Sequence, residues 1–239
     1  MPRKAIYQLP VLLYHRVVNS RSEAGHHNIF IKKRKLVKQF LYLKKEGYQT
    51  ITFRDLHSNP GMDLYKKVIL TFDDGYADNY TLLFPLLKEF HFTAVIFLVT
   101  RLKNNVWGIV EGEPVLQLLN ENQIREMDAY GIEFGGHTQT HVNLLKMDHK
   151  SRMSELKGCN TDIEKIITKK IISFSYPFGA LNEDVKKEIK EAGFEYGLST
   201  NTGADLFSDD LMQIRRIEIT CRTNIFSFKK KVSGKYLYR

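Results

Sequence analysis

The chain has 239 residues, 43% hydrophobic and 12% aromatic, enough to bury a full core and too apolar for intrinsic disorder. Its formal charge of +9 favours polyanionic neighbours, although runs such as Lys32-Lys33-Arg34-Lys35, Lys169-Lys170 and Lys229-Lys230-Lys231 read first as solvated helix faces. Two cysteines, Cys159 and Cys221, exclude a disulfide framework and a cysteine metal cluster, and they carry no sign of an oxidising compartment.

The N-terminus has a basic start, but its apolar run at 9–13 is too short for a signal-peptide core, and no segment approaches the ~18 apolar residues of a membrane span. The expected location is cytoplasmic, with peripheral contact to an anionic membrane surface. No motif interleaves basic and aromatic residues, so no nucleic-acid partner is expected.

The first strand is predicted over 11–17, VLLYHRV. A helix follows over 32–45, with Leu36, Phe40 and Leu43 on one face and Gly47 just past its end. Strands are predicted at 48–53 and 68–72, the second ending on Asp73, Asp74 and Gly75. The segment 80–90 is helical, interrupted or restarted at Pro85, and leads to a strand at 93–99. A long loop, 101–120, carries Trp107. The next helix, 121–130, has Asn120 and Gln123 at capping-box spacing and precedes a strand at 132–134. A helix over 150–168, a strand over 171–176, a helix over 183–192 closed by Gly193, and strands over 196–200 and 216–220 complete the chain. Strand alternating with helix implies an α/β fold with a mostly parallel sheet. Seven or eight such strands predict a closed or nearly closed (β/α) barrel over 1–239 as a single domain, with an open doubly wound sheet as the alternative.

In such folds chemistry sits at the carboxyl ends of strands. There the chain places Tyr14-His15-Arg16, Asp73-Asp74, the run GGHTQTH at 135–141 and SYPFG at 175–179. His137 and His141 stand four apart, which puts two imidazoles on one side of a helical turn, and with one carboxylate they form a three-ligand set that leaves room for water. A helix cap at Asp74 or Asp78 accounts for one acid but not for two adjacent ones. A ligand beside a general base accounts for both.

The motifs TFDDGYADNY at 71–80, HTQTH at 137–141 and SYPFG at 175–179, in this order, resemble the first three motifs of the polysaccharide deacetylases, the NodB-homology group or carbohydrate esterase family four. The motif-bearing core covers 66–239. The part over 1–65, with LLYHRV, resembles the subgroup of poly-N-acetylglucosamine deacetylases. The resemblance implies a distorted (β/α) barrel, one divalent metal ion (zinc), and hydrolytic removal of the N-acetyl group from an amino sugar in a polysaccharide or lipid-linked glycan. It assigns the general base to Asp73, the metal to Asp74, His137 and His141, and the substrate groove to Tyr176, Pro177 and Phe178, with the Phe178 N–H facing the developing oxyanion.

Two departures from the family pattern stand out. Ser175 occupies the place of an arginine that orients the base, and no Leu-x-His follows near the C-terminus to supply the acid. Of the remaining histidines, His26, His27, His57 and His149 fall in polar or loop segments and His91 in a helix-to-strand connection. His15, in the first strand of a closed barrel, is the expected proton donor. Arg216, ahead of Arg215, is expected to hold Asp73. The serine also supports a second reading, an inactive carbohydrate-binding protein on the same barrel. A non-haem iron oxygenase shares the two-histidine, one-carboxylate set but leaves the doubled aspartate unexplained.

Overall fold

The computed structural model describes residues 9–200, 202–203, 210–233 and 236. The basic start at 1–8 lies outside the described residues, as do parts of the expected domain near its C-terminal end. In chain order the elements are β1 (Val11–Tyr14), β2 (Arg16–Val18), β3 (Phe30–Lys32), α1 (Lys33–Lys45), β4 (Gln49–Thr50), α2 (Phe53–Ser58), β5 (Lys67–Phe72), α3 (Phe84–Phe90), β6 (Val95–Leu98), α4 (Val106–Ile109), α5 (Glu121–Tyr130), β7 (Glu133–Gly136), α6 (His149–Ile167), β8 (Ser173–Ser175), α7 (Glu183–Glu191), β9 (Tyr196–Leu198), β10 (Ile217–Glu218) and α8 (Ile225–Lys231).

Seven strands form one curled parallel sheet in the order β10-β1-β5-β6-β7-β8-β9, and β4 pairs with the start of β5. A bridge from Leu198 to Ile214 and the bond from Arg216 N–H to Thr200 O (2.7 Å) draw the two edges together, so that the segment 214–218 spans the seam between β9 and β1. The result is the expected distorted (β/α) barrel.

The strand period of two sorts the side chains. Val11, Ile69, Val95, Phe97 and Leu198 share one cluster inside the curl, while Leu12, Leu70, Ile96 and Phe134 pack outward under the helices. The same alternation on β5 carries Ile69 and Thr71 to Asp73, and on β7 Glu133 and Gly135 to His137, so each of these two strands delivers one expected site residue at its carboxyl end. A Cβ on Gly135 would stand 2.5 Å from Phe97 Cε1, which is why that interior position is glycine.

The predicted strand over 11–17 is two strands, broken at His15. Tyr14 O still accepts the Asp73 N–H (3.0 Å) within the barrel. Beyond it the Asp78 carboxylate takes the Val17 N–H and Arg16 Nε, each at 3.0 Å, and Asn79 Nδ2 donates to His15 O at 3.0 Å. These bonds replace ladder bonds and turn β2 outward to pair with β3. The predicted strand over 48–53 shrinks to β4 because Thr52 and Asp55 form a capping box that starts α2. Pro85 lies in the first turn of α3, after a π-helical turn at Asn79–Leu83, where its missing N–H costs nothing. Asn120 and Gln123 form the predicted capping box of α5.

Candidate active site

β5 ends just before Asp73, and the backbone then turns left-handed, with φ of 74° at Asp74 and 70° at Gly75, so that both carboxylates line one cavity. A Cβ at Gly75 would meet Leu98 Cδ2 at 2.8 Å, so strain and crowding both select glycine there. Thr138, His141 and Phe178 also adopt positive φ, at 63°, 56° and 60°. Such conformations cost of order 1–3 kcal/mol each and gather where surrounding structure over-determines them.

Asp74 Oδ1 stands 3.3 Å from both His137 Nε2 and His141 Nε2, and all three side chains are buried. Nitrogen and oxygen ligands at ~2.0–2.2 Å around a tetrahedral ion lie about 3.3–3.6 Å apart, so the three donors fit a small divalent cation. Burial works to raise the Asp74 carboxyl, but hydrogen bonds from His137 and His141 outweigh it and hold the group well below the usual range. His137 Nδ1 contacts Ser175 O at 2.7 Å. A carbonyl only accepts, so Nδ1 carries a proton, which leaves Nε2 as the nitrogen that a neutral His137 offers as a ligand. The loop between the histidines is gripped from α6. Glu155 accepts the N–H groups of Gln139 (2.7 Å) and Thr140 (3.1 Å) and the Thr140 hydroxyl (2.7 Å), while Asp162 accepts Gln139 Nε2 at 2.8 Å.

Asp73 faces the same space from the inner wall. Arg216 Nη1 donates to its Oδ1 and Nη2 to its Oδ2, each at 2.7 Å, and the Ser175 hydroxyl adds a bond of 2.9 Å. Burial works to raise this carboxyl, and the Arg216 guanidinium prevails and lowers it. Arg216 is itself completely buried and anchored through Nε to Ser199 O at 2.7 Å. Arg215 turns the other way and donates to Gly203 O.

A cavity of about 220 Å³ opens over these groups, and His15, Tyr176 and Phe178 line it. Phe178 is 58% exposed at the rim and meets His141 edge-on at 4.7 Å. Pro177 is buried and does not line the cavity, because the left-handed turn at Phe178 sends the phenyl outward and leaves the pyrrolidine beneath. Of the three expected groove residues, two therefore form the wall.

Four further wall residues carry no role in the sequence reading. Trp107 stacks on His141 with ring centroids 4.1 Å apart, and it is the lone tryptophan of a long loop, which is a usable signal. Tyr76 is buried between Asp74 and Arg16, and burial pushes its hydroxyl strongly up. His27, set aside as a loop residue, reaches the wall beside Glu113, whose Oε1 accepts the N–H groups of His26 and His27 at 2.6 Å each. No local pattern announces a contact between residues so far apart in sequence.

The sequence profile of the polysaccharide deacetylase family matches residues 63–197. The chain is 26% identical to a Bacillus subtilis (strain 168) protein named as a polysaccharide deacetylase, over 89% of this chain and 72% of that protein. It is 27% identical to the poly-β-1,6-N-acetyl-D-glucosamine N-deacetylase of Staphylococcus epidermidis, over 76% of this chain and 65% of the relative, and so spans slightly less than two thirds of that enzyme. A solved Streptococcus pyogenes deacetylase in complex with acetate has the same fold, with a TM-score of 0.81 and 24% identity over 94% of this chain and 98% of the other.

Proposed function

The chain belongs to the polysaccharide deacetylase family, and from that premise we propose that it hydrolyses the N-acetyl group of an amino sugar in a polysaccharide or a lipid-linked glycan, with one zinc ion as cofactor. The observation that carries the reading is the pairing of the Asp74, His137 and His141 donor set with an ionised Asp73 under one cavity. The similarity to a poly-N-acetylglucosamine deacetylase supports the substrate class.

Asp74, His137 and His141 would hold the divalent ion, whose contribution when bound would be Lewis acidity at the acetyl group. Asp73 is the general base that takes the proton of the attacking water, and Arg216 with the Ser175 hydroxyl fixes the direction of its carboxylate. The Phe178 N–H faces the developing oxyanion. The amine is a poor leaving group until protonated, and His15, which lines the same cavity, delivers that proton. Tyr176 and Phe178 flank the sugar. In this reading the whole chain is one catalytic domain, since β1 from the N-terminal part is hydrogen-bonded between β5 and β10.

The alternative, an inactive carbohydrate-binding barrel, drew its support from Ser175 in place of arginine. Here Ser175 and Arg216 both bond Asp73, which supports the hydrolase. The excess positive charge supports a peripheral contact with an anionic membrane, and no helix among the described residues is long and apolar enough to cross one. The test is acetate release from β-1,6-linked N-acetylglucosamine oligomers, lipid-linked N-acetyl sugars and nucleotide sugars. Release from one of the first two classes is expected. Sugar binding without acetate release from any of them would replace the hydrolase with the binding protein.

A further inference from the structure

We propose that the face built by α1 and α8 is the docking surface for an anionic lipid bilayer, which deepens the membrane contact named above. α1 breaks a local rule. Its first turn holds Lys33, Arg34 and Lys35, it contains no acid, and its N-cap Lys32 makes no side-chain capping bond. Cations at a helix N-terminus oppose the macrodipole, and Arg34 and Lys38 add a like-charge pair at i,i+4. A chain that keeps such unfavourable placements has an anion to meet outside the fold.

The pattern continues across the neighbouring helix. α8 carries no acid in its first turn and ends in Lys229, Lys230 and Lys231. The two helices pack through Tyr42 and Phe228, whose rings meet edge-on at 6.2 Å, and Lys229 Nζ lies 5.1 Å from the Tyr42 ring. Arg34, Lys38, Leu41 and Lys45 recur at helical spacing along the exposed side of α1, with Phe226, Lys229 and Lys230 exposed on α8. Among the described residues none of these cations forms an ion pair with an acid of this chain.

Two apolar side chains stand among the cations, Leu41 at 54% and Phe226 at 74% exposure. They commit the surface to a bilayer, because a soluble polyanion has no apolar layer to receive them, whereas the headgroup boundary does. Ile29 lines the cavity and β3 leads from it into α1, so one end of the docking face lies next to the site.

Co-sedimentation with phosphatidylcholine vesicles, with and without phosphatidylglycerol, tests the assignment. Each Lys or Arg near an anionic surface adds roughly fivefold to partition, so the Lys38→Glu, Lys45→Glu, Lys229→Glu, Lys230→Glu variant is expected to bind mixed vesicles on the order of 10²-fold or more weakly. A Leu41→Ser, Phe226→Ser variant should lose the part of binding that survives high salt. Both variants should keep the parent's far-UV circular dichroism and release acetate from a soluble oligomer at the parent rate. Equal binding of the parent to both vesicle types, undiminished binding by the charge-reversed variant, or tight binding of soluble polyphosphate with none to vesicles would overturn the proposal. Charge-dependent vesicle binding by a protein that releases no acetate would support the surface while removing the hydrolase reading, so the two fail separately.

Discussion

Arg216 meets Asp73 end-on through two bonds of 2.7 Å, in a buried pair drawn from positions 143 residues apart. A lysine supplies a point charge but not the planar fork. Arg216→Lys is therefore expected to lower kcat on the order of 10²-fold, with KM little changed and the far-UV circular dichroism intact. Arg216→Met leaves a buried carboxylate without its partner and should cost about 3–5 kcal/mol in urea denaturation. An Arg216→Lys enzyme with parental kcat would separate Arg216 from the reaction.

Glu155 holds the loop that carries both histidines without touching the metal centre. The protein is expected to bind one equivalent of zinc, and the His137→Ala, His141→Ala variant none, by elemental analysis. Glu155→Ala removes the acceptor of the Gln139 and Thr140 N–H groups and of the Thr140 hydroxyl, and zinc affinity should fall about 10- to 100-fold in competition with a chromophoric chelator. Unchanged affinity would show that the loop keeps its shape unaided.

His15→Ala should retain zinc and fold yet lose on the order of 10²-fold or more in kcat on an N-acetyl sugar. An activated acetyl ester, whose leaving group needs no proton, should lose far less. Equal losses on the two substrates would exclude His15 as the acid.

Glu133 sits at the opposite end of β7, where it accepts the Arg54 N–H (2.8 Å) and the Ser173 hydroxyl (2.9 Å). Burial raises its carboxyl above the ordinary value despite these bonds. A raised value means the folded state holds the proton more tightly, so this contribution to stability is complete below the ordinary range near ~4.3 and is lost as pH rises through the raised value. The non-titrating Glu133→Gln variant should start below the parent at acid pH and close part of the gap between about pH 4 and neutrality. A gap in thermal unfolding that stays constant over this range would refute the assignment.

The barrel was legible because its strands are continuous apolar runs and its helices carry caps, as at Asn120 with Gln123. The residues at strand ends were legible for the same reason, since fixing the register of β5 and β7 fixes where Asp73 and His137 emerge. Contacts that depend on side chains meeting across the sheet left weaker traces. The break at His15 comes from Asp78 and Asn79, more than 60 positions away, and nothing in VLLYHRV marks it. Thr52 and Asp55 did carry a capping signal, which the strand character of the residues before them obscured. Trp107 reaches the cavity from the single turn of α4, and His27 and Glu113 from irregular segments, all too short for periodicity to give a direction. The left-handed backbone at Asp74, Thr138, His141 and Phe178 has no signature either, because none of these residues is glycine.

Closure of the barrel through 214–218 sets an order of assembly. Pairings between neighbouring strands β5 to β9 each close a short stretch of chain, whereas Leu12 opposite Ile217 joins the two ends and carries the largest loop-closure entropy. During synthesis β1 emerges first and waits for nearly the whole chain before its second neighbour exists. Arg216 belongs to that last segment, so Asp73 remains a carboxylate without its counter-ion until the ring shuts. The proposed base is thus oriented only once the ring shuts, and a growing chain that lacks 214–218 is expected to release no acetate.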